Sequence, residues 1–449
     1  MKRWISLFLC LLLLCSASFT YADGFKTITY EMNFEVDDAA FPESMHSAKD
    51  WKTFLEKFSV KGIAHFKDLF RDDEMIEGAA DIYLNNKLLL DLVHSGTQQY
   101  FSITSKSMDA YFGFNAHNYY EFMLKGYFFL GLPTHYIALL SYPNGAYQAL
   151  NNIYKFLAKH FRIDEKMETN EISYEKLTQI AEEASRFFDE EYISHQFIRT
   201  ALMDAGVFET MYYDFQVATE YLESFAAGEP MRIEKDGSKY TYRIGEYEII
   251  QYDVQENRRE YKLYLPPSPS GYEYRAEAIV EKVNDNYNVD GKFAILMDGA
   301  DYAAIAVSAK QLPGEQSEEA EGETIFSLSG DALGGTESVV FQHSYAKHNE
   351  NLNLKLRMRD ETTKQFPLGI KINAALSDFS GSVEPKYKDA YVGDFFSMND
   401  SALSALKGTL LPYAIKVALP ILLETPAKVI NDVYNFLDKS GILTTLTAK

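Results

Sequence analysis

Residues 352–376 read LNLKLRMRDETTKQFPLGIKINAAL, and this stretch decides the fold class. Apolar residues occupy alternate positions from Leu352 to Met358, and they do so again from Phe366 to Leu376 after a polar segment. A period of two places these side chains on one face of an antiparallel hairpin. The opposite face then carries a basic strip, formed by Lys355, Arg357, Arg359 and Lys371. This strip could bind an anionic partner, or it could pair with acidic loops such as 314–323.

The same alternation recurs upstream of the hairpin. It is clear from Tyr240 to Ile244, from Tyr261 to Leu265 and from Tyr272 to Val280. The dipeptide Asp298-Gly299 supplies the positive φ angles of a tight hairpin turn. The acidic segment 314–323 is interpreted as a solvated loop. Successive strands with short connections predict one large antiparallel meander, a curved sheet that could form a half-barrel.

The N-terminal 22 residues have the pattern of a secretory signal. Lys2 and Arg3 precede an apolar core from Trp4 to Cys15, and Ala22 is a suitable cleavage point. We therefore expect an exported protein, periplasmic or extracellular. The alternatives are an uncleaved anchor or a lipoprotein modified at Cys15. Both cysteines of the chain lie in this segment, so the mature chain has no disulfide, thiol nucleophile or cysteine metal site.

The composition limits the partners of the protein. The formal charge of -22, from 65 acidic and 43 basic residues, disfavours nucleic acid as a partner. Aromatic residues form 14% of the chain, with 32 Tyr and 31 Phe. This density suits strand-rich packing, and it would also suit a site for a lipid or a sugar.

The region before the meander predicts a small sheet followed by helices. Residues 23–110 contain strand patterns and one helix that Ser47 could cap. Residues 111–228 form a helical block. It includes a helix that Ser173 caps and that carries one apolar stripe, formed by Leu177, Ile180, Ala184 and Phe187. Another helix of this block, 117–132, carries aromatic side chains around most of its circumference. The candidate ligand-binding residues are Tyr119, Tyr120, Phe122, Tyr127, Phe128 and Phe129. The alternative is that these residues form a buried aromatic core helix.

The C-terminal tail contains apolar helical segments at 402–411 and 413–423, and an amphipathic helix that begins near Thr425. We interpret them as core helices packing on the sheet. A transmembrane span is disfavoured because two lysines and two prolines interrupt it, and reversible attachment at a membrane interface is a further alternative. The predicted division of the chain is thus 1–22, 23–110, 111–228, 229–395 and 396–449.

Three short motifs resemble sites of known chemistry. Residues 404–407 match S-x-x-K, but the partner motifs of penicillin-binding enzymes are missing. Residues 286–291 resemble a calcium loop, although Met297 stands where a bidentate Glu is required, so a polar hairpin turn is preferred. Glu191 and His195 could share a metal, but no third ligand is identifiable. We predict no metal, no cofactor and no catalytic residue.

These observations define an α+β protein, with a smaller β-sheet and a helical block before the large meander and its helices. The first functional hypothesis is an exported, non-catalytic envelope protein that binds an apolar or amphipathic ligand between sheet and helices. The second is a surface or matrix interaction module with a solid core, whose acidic faces and loops meet a protein partner. The third is an exported hydrolase with an unidentified carboxylate pair.

Overall fold

The computed structural model describes residues 26–41, 46–66, 76–96, 100–105, 111–115, 145–162, 170–190, 198–199, 202, 206–314, 316–360, 363–379, 391–394 and 413–439. The fold class is α+β, as predicted, with antiparallel strands predominating. The chain divides into two compact units, 1–143 with 342–449 and 144–341. The predicted division into five segments stays a prediction.

The strands are numbered in chain order. The first six are β1 (Lys26–Val36), β2 (Phe58–Phe66), β3 (Ile76–Leu84), β4 (Lys87–Gly96), β5 (Tyr100–Thr104) and β6 (Tyr111–Asn115). The next nine are β7 (Glu171–Ile172), β8 (Met231–Asp236), β9 (Lys239–Ile244), β10 (Tyr247–Val254), β11 (Arg258–Leu265), β12 (Glu273–Val283), β13 (Asn286–Met297), β14 (Ala300–Pro313) and β15 (Glu319–Gly330). The last four are β16 (Gly335–His348), β17 (Asn351–Met358), β18 (Leu368–Asp378) and β19 (Tyr391–Asp394).

The helices are numbered in the same way. They are α1 (Ala48–Leu55), α2 (Gly145–Phe161), α3 (Tyr174–Glu190), α4 (Val207–Gln216), α5 (Ala218–Ala226), α6 (413–424) and α7 (Ala427–Lys439). None of the helices in the described ranges is both long and apolar enough to cross a membrane.

The first unit confirms the hairpin predicted from residues 352–376. Strands β17 and β18 pair antiparallel, with Leu354 opposite Ile372 and Leu356 opposite Ile370. Strand β1 pairs with the other edge of β18, so that Met32 lies opposite Ile372, and β2 to β6 continue the sheet in chain order. The apolar face of the hairpin therefore extends across β1, and Ile370 and Ile372 are buried.

The second unit is an antiparallel meander packed on helices. Strands β7 to β15 pair in chain order, each with its neighbour. The turn at Asp298-Gly299 has φ angles of 53° and 78°, which confirms the predicted hairpin. Helices α3, α4 and α5 pack on one another, and apolar side chains of α2, α3 and α5 join those of β8 to β11 in one core.

Two local predictions about the N-terminal ends of helices had different outcomes. The hydroxyl of Ser173 accepts a hydrogen bond from the Lys176 amide at 3.3 Å, so the predicted cap of α3 is confirmed. Ser47 makes no cap hydrogen bond, and the predicted cap of α1 is wrong. Its hydroxyl donates instead to the carboxylate of Asp432. The Ser47 hydroxyl therefore donates to a charged group of a distant helix and accepts no hydrogen bond from a backbone amide of α1.

Two further predictions are corrected. The segment 314–323 is not all loop, because β15 already begins at Glu319 and its alternation continues through the acidic residues. The apolar segment 413–423 is helical, but it is not a core helix. Most of α6 is exposed, including Ile415, Leu419 and Leu423. The apolar composition of a helix does not by itself show whether other parts of the protein cover its apolar residues.

Candidate functional site

An apolar cavity of about 200 Å³ lies inside the second unit, between its helices and its sheet. The helices line it with apolar and aromatic side chains: Ile153, Phe156, Leu157 and Phe161 from α2; Leu177, Ile180, Ala181, Ala184 and Phe187 from α3; Met211 and Phe215 from α4; and Ala218, Tyr221, Leu222 and Phe225 from α5. Strands β8 to β13 supply the other wall, with Met231, Ile244, Ile249, Ile250, Leu263, Leu265, Tyr274, Ala276 and Phe293.

The helix wall follows directly from the sequence pattern. Leu177, Ile180, Ala184 and Phe187 are spaced three or four residues apart, so they share one face of α3. The sequence predicted this stripe, and the structure turns it toward the cavity. The helices of the block 111–228 therefore cover this part of the sheet.

A β-bulge shapes the strand wall. The pairing of β9 with β10 shifts register between Glu248 and Ile250, which leaves Ile249 as an extra residue. A bulge breaks strict alternation, so two consecutive side chains can turn to the same side. Ile249 and Ile250 are both buried, and both line the cavity.

The two hydroxyl groups among the described lining residues already have protein acceptors. Tyr221 donates to the carbonyl oxygen of Pro266, and Tyr274 donates to Oδ2 of Asp214 at 2.6 Å. Burial raises the pKa of both phenols well above the ordinary value of 10.0. Both hydroxyls are therefore neutral donors whose single proton is engaged.

Asp214, which accepts the hydrogen bond of Tyr274, is fully buried. Its Oδ2 also accepts a hydrogen bond of 2.5 Å from the Ser268 hydroxyl, and its Oδ1 accepts one of 3.3 Å from the Ser270 amide. Three donors together satisfy a carboxylate that would otherwise be costly to bury. The cluster ties α4 to the connection between β11 and β12.

Our sequence reasoning missed this cluster, although a signal was present. Val207, Met211 and Asp214 follow one another at helical spacing, and all three are buried. An acidic residue on the apolar stripe of a helix indicates a buried polar contact. The partner residues, Ser268 and Tyr274, have no such local signal because they come from a distant strand and its preceding loop.

The predicted aromatic ligand site lies outside the described residues. This applies to Tyr119, Tyr120, Phe122, Tyr127, Phe128 and Phe129, whose role stays a prediction. The motif at 404–407 and the pair Glu191 and His195 also lie outside them.

The basic strip is brought together in part. Lys355 and Lys371 are directly opposite each other on β17 and β18, and Lys355 forms an ion pair with Glu35. The guanidinium of Arg357 lies over the Phe366 ring at 5.4 Å. Arg359 follows the last residue of β17. One face thus carries Lys355, Arg357 and Lys371, and Glu35 partly neutralises its charge.

The residues that resemble a calcium loop lie in strand β13. Asn286 and Asn288 bond to Gln311, and the Asp290 carboxylate accepts a hydrogen bond of 2.5 Å from Ser308. The turn itself falls before them, where Asn284 has a φ of 58°. Within the described part of the chain, no three metal-binding side chains of the His, Cys, Asp and Glu types come together.

Comparison with known proteins assigns no family. No family model matches the chain, and no curated protein matches it. Among solved structures, a bacterial polysaccharide outer membrane secretin matches with a TM-score of 0.20 and 6% sequence identity, over 80% of this chain and 100% of the other. A TM-score of this size does not define a common fold, and no function is transferred from it.

Proposed function

We propose that this chain is an exported, non-catalytic envelope protein that binds an apolar or amphipathic ligand in the cavity of its second unit. The observation that carries the proposal is the lining. Among its described residues, Arg275 alone has a charged side chain, and the rest are aliphatic, aromatic or Met. Ligand sites typically combine such walls with few polar groups. Export rests on the signal pattern of the first 22 residues.

The size of the cavity supports the proposal that it binds a ligand. Protein interiors normally contain few voids larger than a water molecule. An engineered cavity of about 150 Å³ lined by Leu, Ile and Phe stays dry and binds benzene. A cavity of about 200 Å³ is therefore large enough for a small aromatic ring or a short hydrocarbon segment.

The polar contacts support recognition by shape rather than by hydrogen bonding. Tyr221 and Tyr274 donate their only hydroxyl protons to protein acceptors, so neither can donate one to a ligand without breaking a buried bond. A head group on an amphipathic ligand would remain outside the cavity. The described lining includes no carboxylate, which favours a binding role over hydrolysis.

The proposal is tested on the chain that begins at Asp23. We expect organic extraction of the purified protein, followed by mass spectrometry, to release a hydrophobic compound. We also expect the delipidated protein to bind naphthalene, whose fluorescence changes on leaving water. Replacing Ala181 or Ala218 by Leu fills the cavity and should weaken naphthalene binding at least about tenfold, because the cavity then has less room for the ring.

The matched control is Ala300→Leu, which adds the same side chain at an exposed position beside a turn. It should bind naphthalene like the unmodified chain. Thermal melting of each variant confirms that it is folded. A protein that releases no compound on extraction and takes up no naphthalene would exclude the proposal.

We also propose that the basic strip is the surface for an anionic partner of this protein. Lys371 is exposed at its centre. Replacing Lys371 by Glu should leave the melting temperature nearly unchanged, because exposed substitutions rarely exceed about 0.5 kcal/mol. Cross-linking of the unmodified chain in an extract of its source should capture a partner that the variant does not capture. Equal capture by both proteins would contradict this role.

A further inference from the structure

Helix α6 presents an apolar face that is open to solvent. Ile415, Leu419, Leu422 and Leu423 are between 53% and 77% exposed. Their spacing of four, three and one residues places them on one face of the helix. On helix α7, Ile430 and Tyr434 are one turn apart and are also exposed.

The two helices are attached through their polar residues. Lys57 Nζ lies 2.8 Å from Oε2 of Glu424 at the end of α6. On α7, Asp432 accepts a hydrogen bond of 3.0 Å from the indole nitrogen of Trp51, and it also accepts one from Ser47. A surface helix normally turns its apolar stripe inward and its polar face outward. Here polar anchors and the buried Val429 hold the helices, and several large apolar side chains among the described residues are exposed.

We propose that this face of α6, formed by Ile415, Leu419, Leu422 and Leu423, is a docking surface for a zwitterionic lipid layer, which has no net charge. Charge is the first argument. A chain with a net charge of -22 repels a second copy of itself and an anionic layer. Between 413 and 423 the only charged residue of α6 is Lys416, so the face carries no carboxylate that a lipid surface would have to desolvate.

The types of side chain on this face and the length of α6 are also those expected for binding to a lipid layer. The binding energy of protein interfaces is concentrated in Trp, Tyr and Arg, and Leu is under-represented among these residues. The face of α6 is instead entirely aliphatic, with one Ile and three Leu. Residues 413–424 extend only about 18 Å as a helix, against about 30 Å of hydrocarbon in a bilayer. Such a helix lies in the plane of the interface, with its apolar side chains inserted.

The test is flotation of the chain from Asp23 onward with phosphatidylcholine vesicles. We expect the protein to float with the vesicles, and raising NaCl from about 0.1 M to about 1 M should not release it, because screening weakens only electrostatic attraction. The double variant Leu419→Ser with Leu423→Ser should lower the partition coefficient at least about tenfold, because each change withdraws a large apolar side chain from the lipid.

The matched control combines Leu88→Ser with Met297→Ser, two exposed apolar residues elsewhere in the chain. It should float like the unmodified protein. Equal flotation of the Leu419 and Leu423 variant, or no flotation of the unmodified chain, overturns the proposal. So does a dimer in lipid-free solution that the Leu419 and Leu423 variant dissociates, because the face then binds a second copy. The cavity-filling variants should still float, so this inference is independent of the cavity.

Discussion

The hydroxyl of Tyr274 donates a hydrogen bond of 2.6 Å to the carboxylate of Asp214, 60 residues away in the chain. Both residues are buried, and Tyr274 also lines the apolar cavity. This bond therefore joins the helix wall of the cavity to its strand wall. Because the carboxylate has no access to water, its stability depends on the protein donors around it.

Removing that donor should destabilise the second unit. Tyr274→Phe keeps the ring but leaves the buried carboxylate one donor short, which we expect to lower the free energy of unfolding by about 1–3 kcal/mol. Urea denaturation measures this free energy of unfolding. Tyr213→Phe is the control, because Tyr213 lies on the same helix as Asp214 and is exposed. Equal stability of the two variants would show that the bond is not important for folding.

Alkaline pH should unfold the protein through its buried tyrosines. Burial raises the pKa of Tyr221 and Tyr274, and burial with the Glu273 carboxylate raises that of Tyr264 to about 12. Below pH of about 10 these phenols are protonated in both states, so the full stability is present. Above it the unfolded chain releases protons that the folded chain retains, and stability falls.

The loss due to Tyr264 should extend from pH about 10 to about 12. Urea midpoints measured across this range test it. The slope should be shallower in Tyr221→Phe, which keeps the buried ring but has no proton to release. An unchanged slope in this variant would contradict the assignment to the buried tyrosine.

Gly62 should not tolerate a side chain. It lies opposite Tyr30 on β1, and a Cβ at this position would contact the Tyr30 ring and approach the carbonyl oxygen of Ala79 to 2.7 Å. Gly62→Ala should therefore lower stability by about 1–3 kcal/mol through overpacking. Gly291→Ala is the control, because a Cβ at this other strand glycine meets nothing closer than 3.9 Å. Thermal melting distinguishes them.

The anchor of α7 should be visible in tryptophan fluorescence. Trp51 is the only tryptophan after the predicted signal, and its indole donates to Asp432. Asp432→Ala removes that acceptor, so we expect a shift of Trp51 emission to longer wavelength as the helix separates and water enters. The control is Asn435→Ala, at an exposed position of the same helix. Identical spectra for both variants would mean that Asp432 does not hold α7.

The sequence by itself determined the local elements. The period of two defined the hairpin at 352–376, and the helical spacing of Leu177, Ile180, Ala184 and Phe187 defined the apolar face of α3. The turn at Asp298-Gly299 followed from residues that adopt positive φ. Each of these features depends on residues within a few positions of one another, so a single sequence contains the information.

Only the tertiary structure decided which elements meet. Strand β1 lies beside β18, more than three hundred residues later, and Ser47 bonds to Asp432 instead of capping its own helix. The β-bulge at Ile249 and the hydrogen-bond donors around Asp214 also depend on contacts between different segments of the chain. These contacts are set by packing and hydrogen bonding between distant segments, whereas periodicity shows only which face of an element is apolar. Whether that face meets a core, a cavity or solvent, as in α6, depends on the partner it finds.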